Sequence, residues 1–229
     1  MLKLTPILLL LLYGWLSYTF SVWRTKQMLN AQSQPLTDPS ITKLADRMAK
    51  ALDIPAIKVH VFEVEPVNGL ASPDGRIFLT RGFLNRKMRG EVTAEELASV
   101  IAHELGHVAL GHSRRRMIDF TGQNAVVMLL STLLNRFIPG LGMMIANFVS
   151  RALMAHMSRR DEFEADAYAS ALLIKAGIGT APQKSLFTKL TRLTGNRANG
   201  TPAWLLSHPD TTDRIAAIEA NETRWTPRL

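Results

Sequence analysis

Glu95-Glu96-Leu97-Ala98-Ser99-Val100-Ile101-Ala102-His103-Glu104-Leu105-Gly106-His107 ends in the pattern H-E-x-x-H. On a helix, residues four apart share a face, so His103 and His107 can turn their imidazoles toward one point, with Glu104 on the next ridge. That is half of a zinc site with its general base attached. The flanks argue for the helix. Thr93 and Glu96 form a capping box, Val92 and Leu97 a hydrophobic staple, and Leu97, Val100, Ile101, Leu105 and Val108 an apolar stripe. The competing reading is a pair of ordinary structural histidines.

The remaining composition bounds what such a site can be. A chain of 229 residues accommodates one domain plus a membrane segment. With 20% charged and 47% hydrophobic residues it is neither disordered nor wholly membrane-embedded. The formal charge of +8 is unaccompanied by a nucleic-acid motif, so anionic lipid headgroups, not nucleic acid, are the expected partner. With no cysteine, a thiol protease, a disulfide framework and a cysteine metal site are excluded. Any metal must be held by histidine and carboxylate.

Upstream, Leu4 to Trp23 is a nearly uncharged apolar run with Tyr13, Trp15, Tyr18 and Trp23 as interfacial aromatics, bounded by Lys3 and by Arg24 and Lys26. Its length suits a bilayer, and no small-x-small cleavage site follows, so residues 1–26 read as an uncleaved anchor. Basic residues flank both ends and leave its orientation open. Residues 27–37, with Pro35 before Pro39, read as a linker to a domain over 38–229. Asp38 or Thr37 caps a helix with Ile41, Leu44, Ala45, Met48 and Leu52 at helical spacing. Ile57 to Val64 and Arg76 to Thr80 read as strands joined by a loop over Glu65 to Gly75. They form either an ordinary structural hairpin or a sheet edge able to bind an extended peptide.

Downstream of His107 a metzincin would carry glycine and a third histidine; Leu110 and Ser113 stand there, which rejects that class. His112 does not share the face of His107 and reads as structural or supporting. Residues 117–157 are apolar but interrupted, with Pro139-Gly140 as the bend of a helical hairpin that either dips into the membrane or folds over the catalytic domain. A third ligand is expected in the acidic helical cluster Ser158 to Asp166, with Ser158 as its cap. Glu162 and Asp166 lie one turn apart on one face. Two imidazoles and one carboxylate leave a fourth position for water, as a catalytic zinc site requires. Asp166 can accept the free N–H of a ligand histidine. Glu164 points elsewhere and reads as a solvated charge, although spacing alone leaves it open.

Asn68-Gly69-Leu70-Ala71, His103 to His107, Glu162-x-x-x-Asp166, and His208-Pro209 followed by Arg214 occur in an order that resembles the HtpX-like zinc metallopeptidases. These are relatives of the CAAX prenyl protease and of bacterial periplasmic quality-control proteases. The similarity covers roughly residues 37 to 220. It implies an α+β fold, a mostly helical gluzincin domain with a small β-sheet behind an N-terminal transmembrane helix. It implies one Zn2+ on His103, His107 and Glu162, Glu104 as the catalytic base, and Asn68, Gly69, Leu70 and Ala71 in an edge strand lining the substrate cleft. It further implies that His208 or Arg214 donates to the oxyanion. The function implied is a membrane-anchored endopeptidase of the bacterial inner membrane acting on misfolded or membrane-associated polypeptides. A non-proteolytic scaffold with a vestigial site and a specific prenyl-protein or lipoprotein protease are the alternatives. Typical members have two hydrophobic spans before the metal helix, whereas this chain has one, so their topology does not transfer.

Overall fold

The structure, a computed structural model, describes residues 5–72, 74–112, 142–195 and 211–225. Its elements run α1 (Thr5–Ala31), β1 (Ser33–Pro35), α2 (Pro39–Leu52), β2 (Val59–Phe62), β3 (Gly69–Ala71), β4 (Ile77–Thr80), α3 (Arg81–Met88), α4 (Ala94–Ala109), α5 (Gly142–Lys175), α6 (Ala181–Gly195) and α7 (Thr211–Trp225). This is the expected α+β class, mostly helical with a small mixed sheet. The chain divides into two compact units, Met1–Gln27 with Gly111–Asp161, and Met28–Leu110 with Glu162–Leu229.

In the first unit, α1 exposes Tyr13, Trp15, Phe20 and Trp23. Among the described residues no helix is long and apolar enough to cross a membrane. The bend expected at Pro139-Gly140 lies outside the described residues. Its carboxyl-terminal side does not end where the sequence suggested: no second helix starts at a Ser158 cap, because α5 runs unbroken from Gly142 to Lys175. The physical reason is the absence of any proline, or of any glycine after Gly142, over that stretch.

The second unit is built on α4. Thr93 Oγ1 accepts from the Glu96 N–H, and the Glu96 carboxylate accepts from the Thr93 N–H, so the expected capping box starts the helix. Every residue from Glu96 to Gly106 is buried, which makes α4 the central element of this unit. Helix α2 packs against it through Ile41, Leu44, Ala45 and Met48, and is capped by Asp38, whose carboxylate accepts from the Ser40 and Ile41 N–H groups.

The sheet order is β1-β2-β4-β3. The two expected strands are therefore not a hairpin: β2 and β4 run parallel, and β4 pairs antiparallel with β3, which lies inside the stretch read as loop. The turn after β3 closes through Gly75 at φ 84°, a conformation glycine adopts without strain. The stretch read as a linker is helical to Ala31 and then supplies β1, antiparallel to β2, with Pro35 tolerated on the sheet edge. Alternation sends Ile77 and Leu79 into the main core with Val59 and Val61, while Phe78 points the other way onto Leu29 and Phe62. One result matters for function: β3, carrying Gly69 to Ala71 directly after Asn68, is an edge strand.

Candidate metal centre

The H-E-x-x-H spacing puts His103 and His107 on one face of α4, and the approach of α5 supplies the third group. Gly106 is what permits that approach. A Cβ there would lie 3.0 Å from both the Cα and the carbonyl oxygen of Ala165 and 3.3 Å from the Tyr168 Cβ, so the two helices meet almost backbone to backbone.

Glu162 reaches across this contact. The Nε2 atoms of His103 and His107 are 3.1 Å apart, with Glu162 Oε2 3.3 Å from the first and Oε1 3.4 Å from the second. Zinc bonded at about 2.0–2.2 Å in a tetrahedral set holds its ligand atoms roughly 3.3–3.5 Å apart. The two ring nitrogens and the Glu162 carboxylate are thus close enough together to share one such ion. Among the described residues they form one of the groups able to hold a metal ion.

The surroundings complete the case. Asp166, one turn beyond Glu162, takes His103 Nδ1 at 2.9 Å. This puts the proton on Nδ1 and leaves the Nε2 lone pair facing the trio. Arg214, from α7, grips the other side of the carboxylate, with Nε 2.5 Å from Asp166 Oδ2, Nη2 2.8 Å from Oδ1, and Nη1 3.5 Å from Glu162 Oε2. Its guanidinium lies over the Phe187 ring at 4.5 Å. Gln183 Nε2 approaches the Asp166 carbonyl oxygen at 3.4 Å and Gln183 Oε1 accepts from Ser170 Oγ at 2.8 Å.

Glu104, Glu162, Asp166 and Arg214 are each no more than 3% exposed. Three buried carboxylates, Glu104, Glu162 and Asp166, gather about the Arg214 guanidinium, a concentration of negative charge that a divalent cation would stabilise. The proton affinities report the same field. Burial opposes a charged His103, yet hydrogen bonds to Asp166 and Glu162 push it up to about 9. Burial likewise opposes ionised Asp166, but the charge and hydrogen bonds of Arg214 hold it below the ordinary carboxylate range. Arg214 is raised against its own burial by Asp166, Glu162 and Glu104.

Of the residues expected at a site, His103, Glu104, His107, Glu162, Asp166 and Arg214 are brought together. Arg214, suggested with His208 as a donor to the oxyanion, is buried with its guanidinium on Asp166 and Glu162, where it supports both carboxylates. His208 lies outside the described residues. His112 is buried with Nε2 3.9 Å from Asp161 Oδ1 and is not one of the convergent three. Glu164 also stays out of that trio but is half-buried, so it is not the fully solvated charge expected. Gln183 and Phe187 were not foreseen, because a glutamine and a phenylalanine four apart on an amphipathic helix carry no local sign of a site.

Comparison with known proteins agrees with this chemistry. The sequence profile of peptidase family M48 matches residues 35–222. Metalloprotease LoiP of Escherichia coli K12 is 28% identical over 179 residues, covering 78% of this chain and 68% of that protein. Metalloprotease YcaL of the same organism is 28% identical over 181 residues, covering 78% and 67%. Protease HtpX of Pseudomonas aeruginosa is 24% identical over 242 residues, covering 90% and 81%. The chain belongs to peptidase family M48 and is an HtpX-like, zinc-dependent metallopeptidase.

Proposed function

We propose that the chain is a membrane-anchored endopeptidase in which His103, His107 and Glu162 hold one Zn2+ and Glu104 is the general base. The observation that carries this is the trio itself: two imidazole nitrogens 3.1 Å apart, with one oxygen of the buried Glu162 carboxylate 3.3 Å from the first and the other 3.4 Å from the second. Zinc bound there would polarise the scissile carbonyl and make water acidic enough to ionise near neutral pH.

The rest is done by the chain's own residues. Glu104 follows a ligand histidine directly, so its carboxylate is in position to take a proton from water and return it to the leaving amine. Asp166 holds His103 in one tautomer, and Arg214 holds Asp166. His208 is the donor to the oxyanion that the family resemblance suggests. Asn68, Gly69, Leu70 and Ala71 present the open edge of β3 to an extended peptide, a mode that reads backbone before side chains. Indifference to side chains suits misfolded or membrane-associated polypeptides.

The anchor is residues 1–26, supported by the apolar run and by the exposed Tyr13, Trp15, Phe20 and Trp23 of α1. Anionic headgroups, met by the +8 net charge, are its partners, and the bacterial inner membrane its place.

Glu104→Gln tests the assignment. The variant is expected to keep its zinc and lose casein cleavage by at least about a hundredfold. Wild-type cleavage in that variant would refute the role of Glu104, and substrates trapped by it would identify what the enzyme acts on.

A further inference from the structure

The carboxylate of Asp166 can orient His103 only if it is itself held in place. Arg214 holds it from the far side with two hydrogen bonds. Something must then fix the plane of Arg214 and the backbone of Asp166, and both contacts come from one face of α6. Phe187 lies under the guanidinium with its ring centroid 4.5 Å from Cζ. One turn earlier, Gln183 spans Ser170 and the Asp166 carbonyl oxygen at 2.8 and 3.4 Å. Residues four apart share a helix face, so the two side chains act on the same target from one rigid element.

Both are almost fully buried, Gln183 at 1% and Phe187 at 2%. A glutamine in such surroundings is unfavourable unless its amide is hydrogen-bonded, and its partners here are Asp166 and, one turn on, Ser170 of α5. A phenylalanine placed only to fill the core needs volume, whereas a guanidinium stacked over a desolvated ring has its plane specified.

We propose that Gln183 and Phe187 are positioning residues for the metal centre. Gln183 grips the backbone of Asp166 and Phe187 sets the plane of Arg214, so that α6 determines how squarely the carboxylate meets His103 Nδ1. Neither touches the ligand atoms. The proposal rests on the reading that His103, His107 and Glu162 hold the metal.

The test uses the full chain loaded with Zn2+ or Co2+. Phe187→Leu keeps an apolar side chain and removes the ring face, Gln183→Leu removes the amide, and Leu190→Ala is a core control on the same helix. Zinc dissociation constants are read by chelator competition and ligand geometry by the visible spectrum of the cobalt form. Phe187→Leu and Gln183→Leu should each raise the zinc dissociation constant about threefold to tenfold and shift the cobalt bands. Leu190→Ala should lower stability while leaving both readings unchanged.

Wild-type zinc affinity and cobalt spectra in both test variants would overturn the proposal, as would equal changes in Leu190→Ala. If Phe187→Leu does not fold, Gln183→Leu decides alone. Glu162→Ala separates the two levels of inference. If it releases zinc while the α6 variants behave as wild type, only the positioning role fails. If it keeps zinc, the underlying reading of the trio fails.

Discussion

Replacing Asp166 with asparagine alters one atom and a charge at the point where three hydrogen bonds converge. The carboxylate takes His103 Nδ1 at 2.9 Å, Arg214 Nε at 2.5 Å and Arg214 Nη2 at 2.8 Å. An amide has one acceptor oxygen, so its NH2 must face either the imidazole N–H or the guanidinium, donor against donor. Two consequences can be sized. Arg214, 1% exposed, loses its bidentate partner, while Glu162 stays at 3.5 Å; breaking a buried pair from one side costs about 3–5 kcal/mol. His103 loses the acceptor that fixes its tautomer, worth about tenfold to a hundredfold in metal affinity. At a fixed excess of metal, that weakening removes a further ~1.4–2.7 kcal/mol from the zinc-loaded protein by mass action.

Urea unfolding should therefore show the metal-free variant less stable by about 3–5 kcal/mol and the loaded variant by about 4–8 kcal/mol. Chelator competition measures the difference independently. A metal-free loss below about 1 kcal/mol together with wild-type zinc affinity would refute the claim that Asp166 joins Arg214 to the metal centre.

Three further outcomes are expected. Gly106→Ala should push α4 from the Ala165 backbone by a few tenths of an ångström, because its Cβ would arrive 3.0 Å from Cα and O. Its ~1 kcal/mol gain in helix propensity offsets part of an overpacking cost of about 1–3 kcal/mol, so zinc affinity should fall more visibly than thermal stability, and a wider trio in the cobalt spectrum checks it. Gly82→Ala sets a Cβ against the Glu65 carbonyl oxygen, a backbone atom that cannot step aside; a loss of about 3 kcal/mol or more in urea, and low soluble yield, should follow. Asp38 is desolvated in part, yet hydrogen bonds from Lys87, Ser40 and Ile41 bring its pKa from 3.8 to about 2. Because the folded value is the lower one, its contribution is complete above about pH 4 and disappears as pH falls through about 2. Asp38→Ala should therefore cost about 1 kcal/mol at neutral pH and flatten the acid limb of the stability curve.

How much of this was legible before the structure depended on how local the signal was. The capping box of Thr93 and Glu96, the apolar stripe of α4 apart from the exposed Val108, and the four-residue spacings of His103–His107 and Glu162–Asp166 are single-helix patterns, and they reappear as read. Strands β2 and β4 were legible within Ile57–Val64 and Arg76–Thr80, but the pairing of the sheet was not. Strand β3 is three residues long, begins with glycine and sits among turn formers, and only its pairing with β4 makes it a strand. The parallel pairing of β2 with β4 is likewise a long-range fact with no local mark. The false helix start at Ser158 came from treating a capable capping residue as a boundary when nothing upstream broke the helix. Arg214 is marked by its motif, but its two hydrogen bonds to Asp166 depend on burial and on the match between a planar guanidinium and a carboxylate.

The central claim is that His103, His107 and Glu162 together hold the catalytic zinc, and metal stoichiometry by mass spectrometry tests it most directly. The full-length protein should carry one zinc per chain, Glu162→Ala should fall well below that, and Glu164→Ala, two residues away on the same helix, should retain it. A Glu162→Ala protein that keeps one zinc per chain, or a Glu164→Ala protein that loses it, would contradict the assignment.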